Sequence, residues 1–126
     1  MKHIQKIIPA AIAAVDSKIK KPTGEVDKEF NGYISSFGAS IISAGLLPSV
    51  IFFSQKVDKA SERHKIILAI EEILQKSGGI LYPDKKLLNE VKDNIAEREY
   101  INRLTEKISD AAIALKLAIR TFPKSK

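Results

Sequence analysis

The chain has 126 residues, of which 44% are hydrophobic, a net charge of +6 and no cysteine. This length is enough for one domain with a real core, and the apolar content excludes a disordered chain. The absence of cysteine excludes a disulfide-stabilised scaffold and fits a reducing compartment. We therefore expect a single domain over residues 1–126, located in the cytoplasm.

Positive charge is concentrated at the two ends of the chain. Residues 1–24 contain five lysines and one aspartate, and residues 111–126 contain four basic residues and no acidic one. Such a distribution attracts polyanions, nucleic acids among them. The alternative is that these side chains only keep the protein soluble.

The first predicted element is a helix with one buried face. Its apolar residues are Ile4, Ile8, Ile12, Val15 and Ile19. Pro9 either opens this helix at its first turn or kinks a longer one. Lys6 interrupts the apolar run, so we expect no signal peptide. The segment KKPTG at residues 20–24 ends the helix.

The second predicted helix begins near Glu25, with acidic residues in its first turn. Its expected apolar face is formed by Phe30, Ile34, Phe37, Ile41 and Ala44. Gly32, Gly38 and several serines are poor helix formers, but small residues let neighbouring helices approach closely. We therefore expect this helix to be buried on more than one side.

The stretch Phe30–Gln55, which includes this helix, has no Asp, Glu, Lys or Arg in 26 positions. A membrane span is one interpretation, since about 20 apolar residues suffice. Six serines, three glycines and a proline dilute the stretch and divide it near its middle. A core hairpin of two apolar helices is therefore favoured over a membrane span.

The predicted elbow of this hairpin lies between Gly45 and Pro48. Gly45 is expected to be a left-handed C-cap. Pro48 then lies near the start of a third helix over residues 47 to about 56, where its missing N–H group costs little.

Helical periodicity continues through the second half of the chain. Ser61 is the expected N-cap of a fourth helix, Ser77-Gly78-Gly79 ends that helix, and Pro83-Asp84 introduces a fifth. A bend is expected from Asn94 to Glu97, before a long last helix that extends to Pro123. The predicted inward residues are Ile66, Ile67, Ile70, Ile73 and Leu74 in the fourth helix, Leu87, Leu88, Val91 and Ile95 in the fifth, and Ile101, Leu104, Ile108, Ala111, Leu115, Ala118 and Phe122 in the last. The fold class is therefore all-α: a compact bundle of about six helices with a central apolar helical hairpin.

Residues that would indicate catalysis are scarce. His3 lies near the start of the chain, and His64 lies between Arg63 and Lys65, where like charge is expected to lower its pKa. Neither histidine has a partner at metal-ligand spacing, and no phosphate-binding loop or nucleophile motif occurs. We therefore expect no enzymatic activity, no metal site and no cofactor.

The remaining candidates for function are basic residues. Lys56, Lys59 and Arg63 have the spacing of one helix face, and Lys107, Lys116 and Arg120 recur along the last helix. A row of this kind can follow a phosphate backbone without reading bases. A solvated outer face is the alternative.

The hairpin sequence from Ile42 to Lys56, ISAGLLPSVIFFSQK, resembles the most typical segment of the small helical subunit of type III-B CRISPR effector complexes, the Cmr family. A second similarity lies in the last helix, in YINRLTE at residues 100–106 and LKLAIRTF at residues 115–122. The resemblance implies an all-helical, non-catalytic subunit that stacks in several copies into an inner filament. That filament would support the duplex of guide and target RNA beside the backbone and large subunits.

The resemblance also assigns roles to individual residues. It implies that Gly45, Leu46 and Phe53 pack the hairpin, and that Lys56 and Arg120 face RNA. Lys59, Arg63, Lys107 and Lys116 are added as RNA-binding candidates from their spacing only. The alternative function is a stand-alone helical interaction module or adaptor that does not bind nucleic acid.

Overall fold

The computed structural model describes residues 2–56, 62–77 and 80–125. The described residues form six α-helices: α1 (Lys2–Ala14), α2 (Glu29–Ala44), α3 (Leu46–Ser54), α4 (His64–Lys76), α5 (Leu87–Asp93) and α6 (Arg98–Ile119). Helix α1 packs against α6 and α4, and α2 and α3 form a helical hairpin. The prediction of an all-α bundle around an apolar hairpin is confirmed. None of the described helices is both long enough and apolar enough to cross a bilayer.

Helix α1 is a long helix with Pro9 inside it rather than at its first turn. A π-helical segment, Val15–Ile19, continues it, and the Lys20 N–H donates to the Val15 carbonyl at 2.9 Å. Both Val15 and Ile19 are buried, as the spacing predicted. The π-helical segment thus continues the buried face of α1 as far as Ile19.

The α2–α3 hairpin turns at Gly45, which has φ of +97° and ψ of 169°. The positive φ agrees with the prediction, but the left-handed helical conformation expected there is wrong because ψ is extended. This region of backbone conformation is accessible essentially only to glycine. Leu46 and Phe53 are buried, and the Phe53 ring packs edge-to-face on Phe37 with 5.2 Å between centroids. Pro48 is exposed in the first turn of α3.

Helix α2 buries only one face, which corrects the prediction of burial on several sides. Phe30, Ile34, Phe37 and Ile41 are buried, whereas Ala44 and Gly32 are exposed. Ile42 is 89% exposed, and a Cβ added at Gly32 or Gly38 would meet no atom within 4 Å. The small residues of α2 therefore form an uncharged outer surface, because no other described helix covers that side.

The predicted inward faces of α4 and α6 are largely confirmed. In α4, Ile66, Ile67, Ile70, Ile73 and Leu74 are buried, and in α6, Leu104, Ile108, Ala111, Leu115 and Ala118 are buried. Ile101 is partly buried. Phe122 packs against the core from beyond the end of α6, so the prediction that the last helix extends to Pro123 is wrong: the helix ends at Ile119. The predicted N-cap Ser61 and the glycines Gly78 and Gly79 lie outside the described residues.

Helix α5 is shorter than its sequence pattern predicted. It begins at Leu87 and ends at Asp93, with Leu87 and Val91 buried and Leu88 partly buried. Ile95 was expected to point inward, but it is half-exposed in the connection between α5 and α6. The prediction is wrong because the expected bend already separates Ile95 from the α5 face.

A short pair of parallel strands joins the segment before α2 to the segment after α6. Strand β1 (Val26–Asp27) pairs with β2 (Lys124–Ser125), and the Val26 N–H donates to the Pro123 carbonyl at 2.8 Å. This pairing explains why α2 begins at Glu29 and not near Glu25, as the sequence predicted. Residues in extended conformation cannot also form the first turn of a helix.

Candidate nucleic-acid interface

Two elements meet around Arg63, which immediately precedes α4. Its guanidinium carbon lies 4.2 Å from the centroid of the Phe52 ring on α3. Phe52 is 51% exposed, since the adjacent Phe53 takes the inward position on the short helix. A planar cation stacked on an exposed ring offers both charge and a flat surface, the two features that single-stranded nucleic acid uses. Lys56 is exposed two residues after the end of α3.

A cavity of about 390 Å³ lies between α3, α4 and α5. We call it the Lys56–Lys86 cavity; it is lined by Ser54, Lys56, His64, Ile67, Leu68, Glu71, Lys86, Leu88 and Asn89. The Ser54 Oγ and His64 Nδ1 atoms are shielded from water and have no hydrogen-bond partner among the described residues, and the same is true of Arg63 Nε. Buried polar atoms nearly always have a hydrogen-bond partner in folded proteins, so three such atoms close together are unusual.

The pKa of His64 lies below its ordinary value, as the sequence predicted. Burial of the imidazole is the main cause, and the positive charges of Lys56 and Lys65 add to it. The nearby Glu62 carboxylate opposes the shift. His64 is therefore a neutral ring at pH 7, with one nitrogen able to accept a hydrogen bond.

Lys107 belongs to a different place on the surface. It lines a cavity of about 500 Å³ where α1, α4 and α6 meet, together with Lys6 and Lys76. On the same cavity, His3 Nε2 lies 3.1 Å from a carboxylate oxygen of Asp110. The structure thus brings the basic start of the chain next to Lys107.

Lys116 lies on the opposite side of α6 from Lys107. Its Nζ donates to Ser35 Oγ on α2 at 2.6 Å, next to the exposed Ile42. Nine residues on an α-helix correspond to about two and a half turns, which places the two lysines on opposite faces. The single row of basic residues expected along the last helix is therefore divided between two surfaces.

Arg120 is exposed at the C-terminal end of α6, one turn beyond Lys116. Lys59, which was predicted to complete the group with Lys56 and Arg63, lies outside the described residues. The structure thus places Lys56 and Arg63 on adjoining elements, and leaves Lys107 and Lys116 on separate surfaces.

Sequence reasoning missed several residues of this region. Phe52 could have been found, because adjacent aromatic residues on a helix point about 100° apart and only one can face a core. Lys86 gave no signal, since it precedes α5 and reaches the cavity only through the packing of α3 against α5. Within the described ranges, no group of three or more His, Asp or Glu side chains is arranged to hold a metal ion.

Comparison with known proteins gives one match. The family model of a CRISPR-associated protein (Cas_Cmr5) matches residues 3–117, almost the whole chain, whereas no curated protein and no solved structure matches it. The matched range includes the hairpin, Lys56, Arg63, Lys107 and Lys116, and Arg120 lies just beyond it. The match confirms the resemblance drawn from the hairpin residues. The chain belongs to the Cas_Cmr5 family of CRISPR-associated proteins, the small subunit of type III-B Cmr complexes.

Proposed function

We propose that this protein is a non-catalytic subunit that stacks in several copies and supports the duplex of guide and target RNA in antiviral defence. Membership of the family already implies partnership with other subunits of Cmr complexes. The finer parts of the proposal are the stacking, the contact with RNA and the residues that make it. The proposed partners are the backbone and large subunits, further copies of this chain, and both RNA strands.

The observation that carries the RNA contact is the Arg63–Phe52 stack. Lys56 is exposed two residues after the end of α3, the helix that carries Phe52. An arginine held on a ring keeps its charge facing a fixed direction, so little conformational entropy is lost when it binds phosphate. Lys86 adds a second lysine on the far side of the adjoining cavity. Contacts of this type recognise the backbone and are independent of sequence, which suits a subunit that serves many guides.

The uncharged outer surface of α2 supports the stacking. Ile42 and Ile113 are exposed beside Gly38 and Ala39 in a shallow apolar groove between α2 and α6. We call this the α2–α6 groove. Because α2 carries no charged residue after Glu29, Lys116 of α6 is the one charged side chain among the described residues that line this groove, and its Nζ donates to Ser35 Oγ at 2.6 Å. A neighbouring copy would therefore have to desolvate little charge to cover the surface.

Charge reversal tests the RNA contact. Lys56→Glu, Arg63→Glu and Arg120→Glu together should reduce retention of target RNA by the assembled complex and lessen its salt dependence. The matched control reverses three exposed cations elsewhere, Lys18, Lys92 and Arg98. Equal retention of RNA by both triple variants and by the wild type would refute the proposal that these residues face RNA.

The α2–α6 groove also suits a second function, a stand-alone module that binds a partner helix. Small residues flanked by exposed isoleucines are a surface on which a helix can pack closely. The same charge-reversal variants separate the two functions, because an adaptor of this kind needs no basic face. Unchanged partner binding together with absence of RNA from the assembly would favour the module.

A further inference from the structure

We propose that the Lys56–Lys86 cavity binds one unpaired nucleotide of an RNA strand. This inference rests on the RNA contact of the proposed function, not on the pairing of the two strands. It deepens that contact, because it names what the surface beside the Arg63–Phe52 stack receives. The cavity volume of about 390 Å³ lies in the range of small-molecule pockets, about 300–1,000 Å³.

The walls of the cavity divide into an apolar part and a charged part. Ile67, Leu68 and Leu88 supply aliphatic surface on which a base or ribose can pack. Lys56 lies on the α3 side and Lys86 on the α5 side. Two lysines on different elements can hold the phosphates that flank one nucleotide, whereas a free uncharged base would use neither.

Two polar atoms at this cavity, Ser54 Oγ and His64 Nδ1, have no hydrogen-bond partner among the described residues. Ser54 Oγ can donate or accept a hydrogen bond, and His64 Nδ1 can accept one while the ring is neutral. The edge of a base or the hydroxyl groups of a ribose supply both donors and acceptors. After a small rotation of these two side chains, a bound nucleotide would thus satisfy two groups that no described residue satisfies.

Acidic and amide groups on the cavity limit what it can hold. One oxygen of Glu71 accepts the Leu87 N–H at 2.7 Å, which fixes a carboxylate in the wall. A fixed negative charge disfavours a polyphosphate chain at this place. Asn89 offers an amide, which can both donate to and accept from a base edge. The chemistry favours a nucleotide within a strand over a free nucleoside triphosphate.

The test measures binding of labelled RNA hexamers to the purified full chain by fluorescence anisotropy over a range of salt concentrations. Leu88→Trp fills the cavity, and Ile113→Trp adds the same side chain to the distant α2–α6 groove as a control. Single-stranded RNA should bind more tightly than duplex RNA. Leu88→Trp should weaken single-strand binding about tenfold with an unchanged salt slope, whereas Lys56→Gln should lower that slope by about one.

Ser54→Ala provides a second readout that does not depend on adding bulk. Removal of an unpaired buried hydroxyl should raise the melting temperature, while the affinity for single-stranded RNA falls. A purely structural serine would not link these two opposite changes. Ser54→Ala that raises the melting temperature without lowering affinity would overturn the inference.

Other outcomes distinguish this inference from the proposed function. If Lys56→Gln weakens binding and both Leu88→Trp and Ser54→Ala leave it unchanged, phosphate contact stands and the nucleotide pocket is refuted. If free AMP binds as tightly as the hexamer, the ligand is a free nucleotide, and the proposal that the cavity holds a nucleotide within an RNA strand is refuted. Wild-type protein that prefers duplex RNA, or binds no single strand, also overturns the pocket, while RNA retention by the assembled complex judges the proposed function separately.

Discussion

Arg63 and Phe52 form a stacked pair in which the guanidinium carbon lies 4.2 Å from the ring centroid. The pair joins the residue before α4 to the outer side of α3, and Phe52 remains half-exposed. One face of the ring holds the arginine, so the pair is oriented before any ligand binds. This preorganisation distinguishes Arg63 from a flexible surface lysine.

Phe52→Ala should weaken binding of single-stranded RNA by about 1–3 kcal/mol, because the stacking surface and the anchor of Arg63 are both lost. Arg63→Lys should keep the salt dependence but lose part of the affinity, since a lysine does not stack in the same way. Tyr82→Ala is the matched control, because Tyr82 is also an exposed aromatic residue. An equal loss in the Tyr82 variant would show that the effect is not specific to the stack.

Gly45→Ala should destabilise the protein by about 1–3 kcal/mol, measured by denaturant unfolding. The cost comes from the backbone, because an added Cβ would meet only Pro48 Cδ at 3.9 Å while φ is +97°. Gly32→Ala is the control and should stabilise the exposed α2 helix by about 0.5–1 kcal/mol. Two changes of the same sign would contradict the conformational account of the elbow.

Tyr100 should cause a loss of stability at high pH. Burial and its hydrogen bond to the Glu90 carboxylate raise the pKa of Tyr100 to about 12, from an ordinary value of 10.0. The stabilisation is complete below the unfolded pKa and is lost as the pH rises from 10.0 to about 12, because the unfolded chain releases its proton first. Tyr100→Phe should remove this loss of stability, which is measured by denaturant unfolding at several pH values. The difference in tyrosinate absorbance between wild type and variant follows the titration of Tyr100 itself.

His64 should cause a loss of stability at low pH. Its pKa is lowered from 6.5, mainly by burial. The unfolded chain therefore binds a proton before the folded protein does, and stability is lost as the pH falls below 6.5. His64→Gln should reduce this acid-side loss in unfolding experiments, with His3→Gln as the control. If the loss of stability at acid pH were as large in His64→Gln as in the wild type, the prediction for His64 would be contradicted.

Ile42→Lys should reduce the number of copies of this chain in the assembled complex. A lysine at a position that is 89% exposed costs the folded monomer little. A stacked copy would, however, have to bury a second positive charge in the α2–α6 groove, which Lys116 already lines. The copy number is measured by native mass spectrometry. Ile95→Lys is the control, because Ile95 is half-exposed between α5 and α6. An unchanged copy number in Ile42→Lys would exclude the groove as the stacking surface.

The sequence predicted local structure well where one periodic signal was sufficient. The face from Ile66 to Leu74 repeats with the period of a helix, and its packing partners do not alter that assignment. The positive φ at Gly45 and the bend before Arg98 also followed from neighbouring residues. These features depend on interactions within one or two helical turns.

Features that depend on distant residues could not be predicted in this way. Val26 forms a strand because it pairs with Lys124, almost 100 residues later in the chain. The exposed side of α2 was predicted to be buried because small residues are compatible with either outcome. The candidate site shows the same limit: Arg63 was found from spacing, but its stack on Phe52 and the cavity shared with Lys86 depend on tertiary packing.

The central claim is that this chain works as a subunit of an RNA-guided assembly, and its state in native cells tests that claim most directly. The measurement is affinity purification of the tagged full-length protein, followed by sequencing of bound RNA and mass spectrometry of bound proteins. We predict that guide RNA and the larger Cmr subunits copurify with it. Recovery of a free monomer without RNA would contradict the claim.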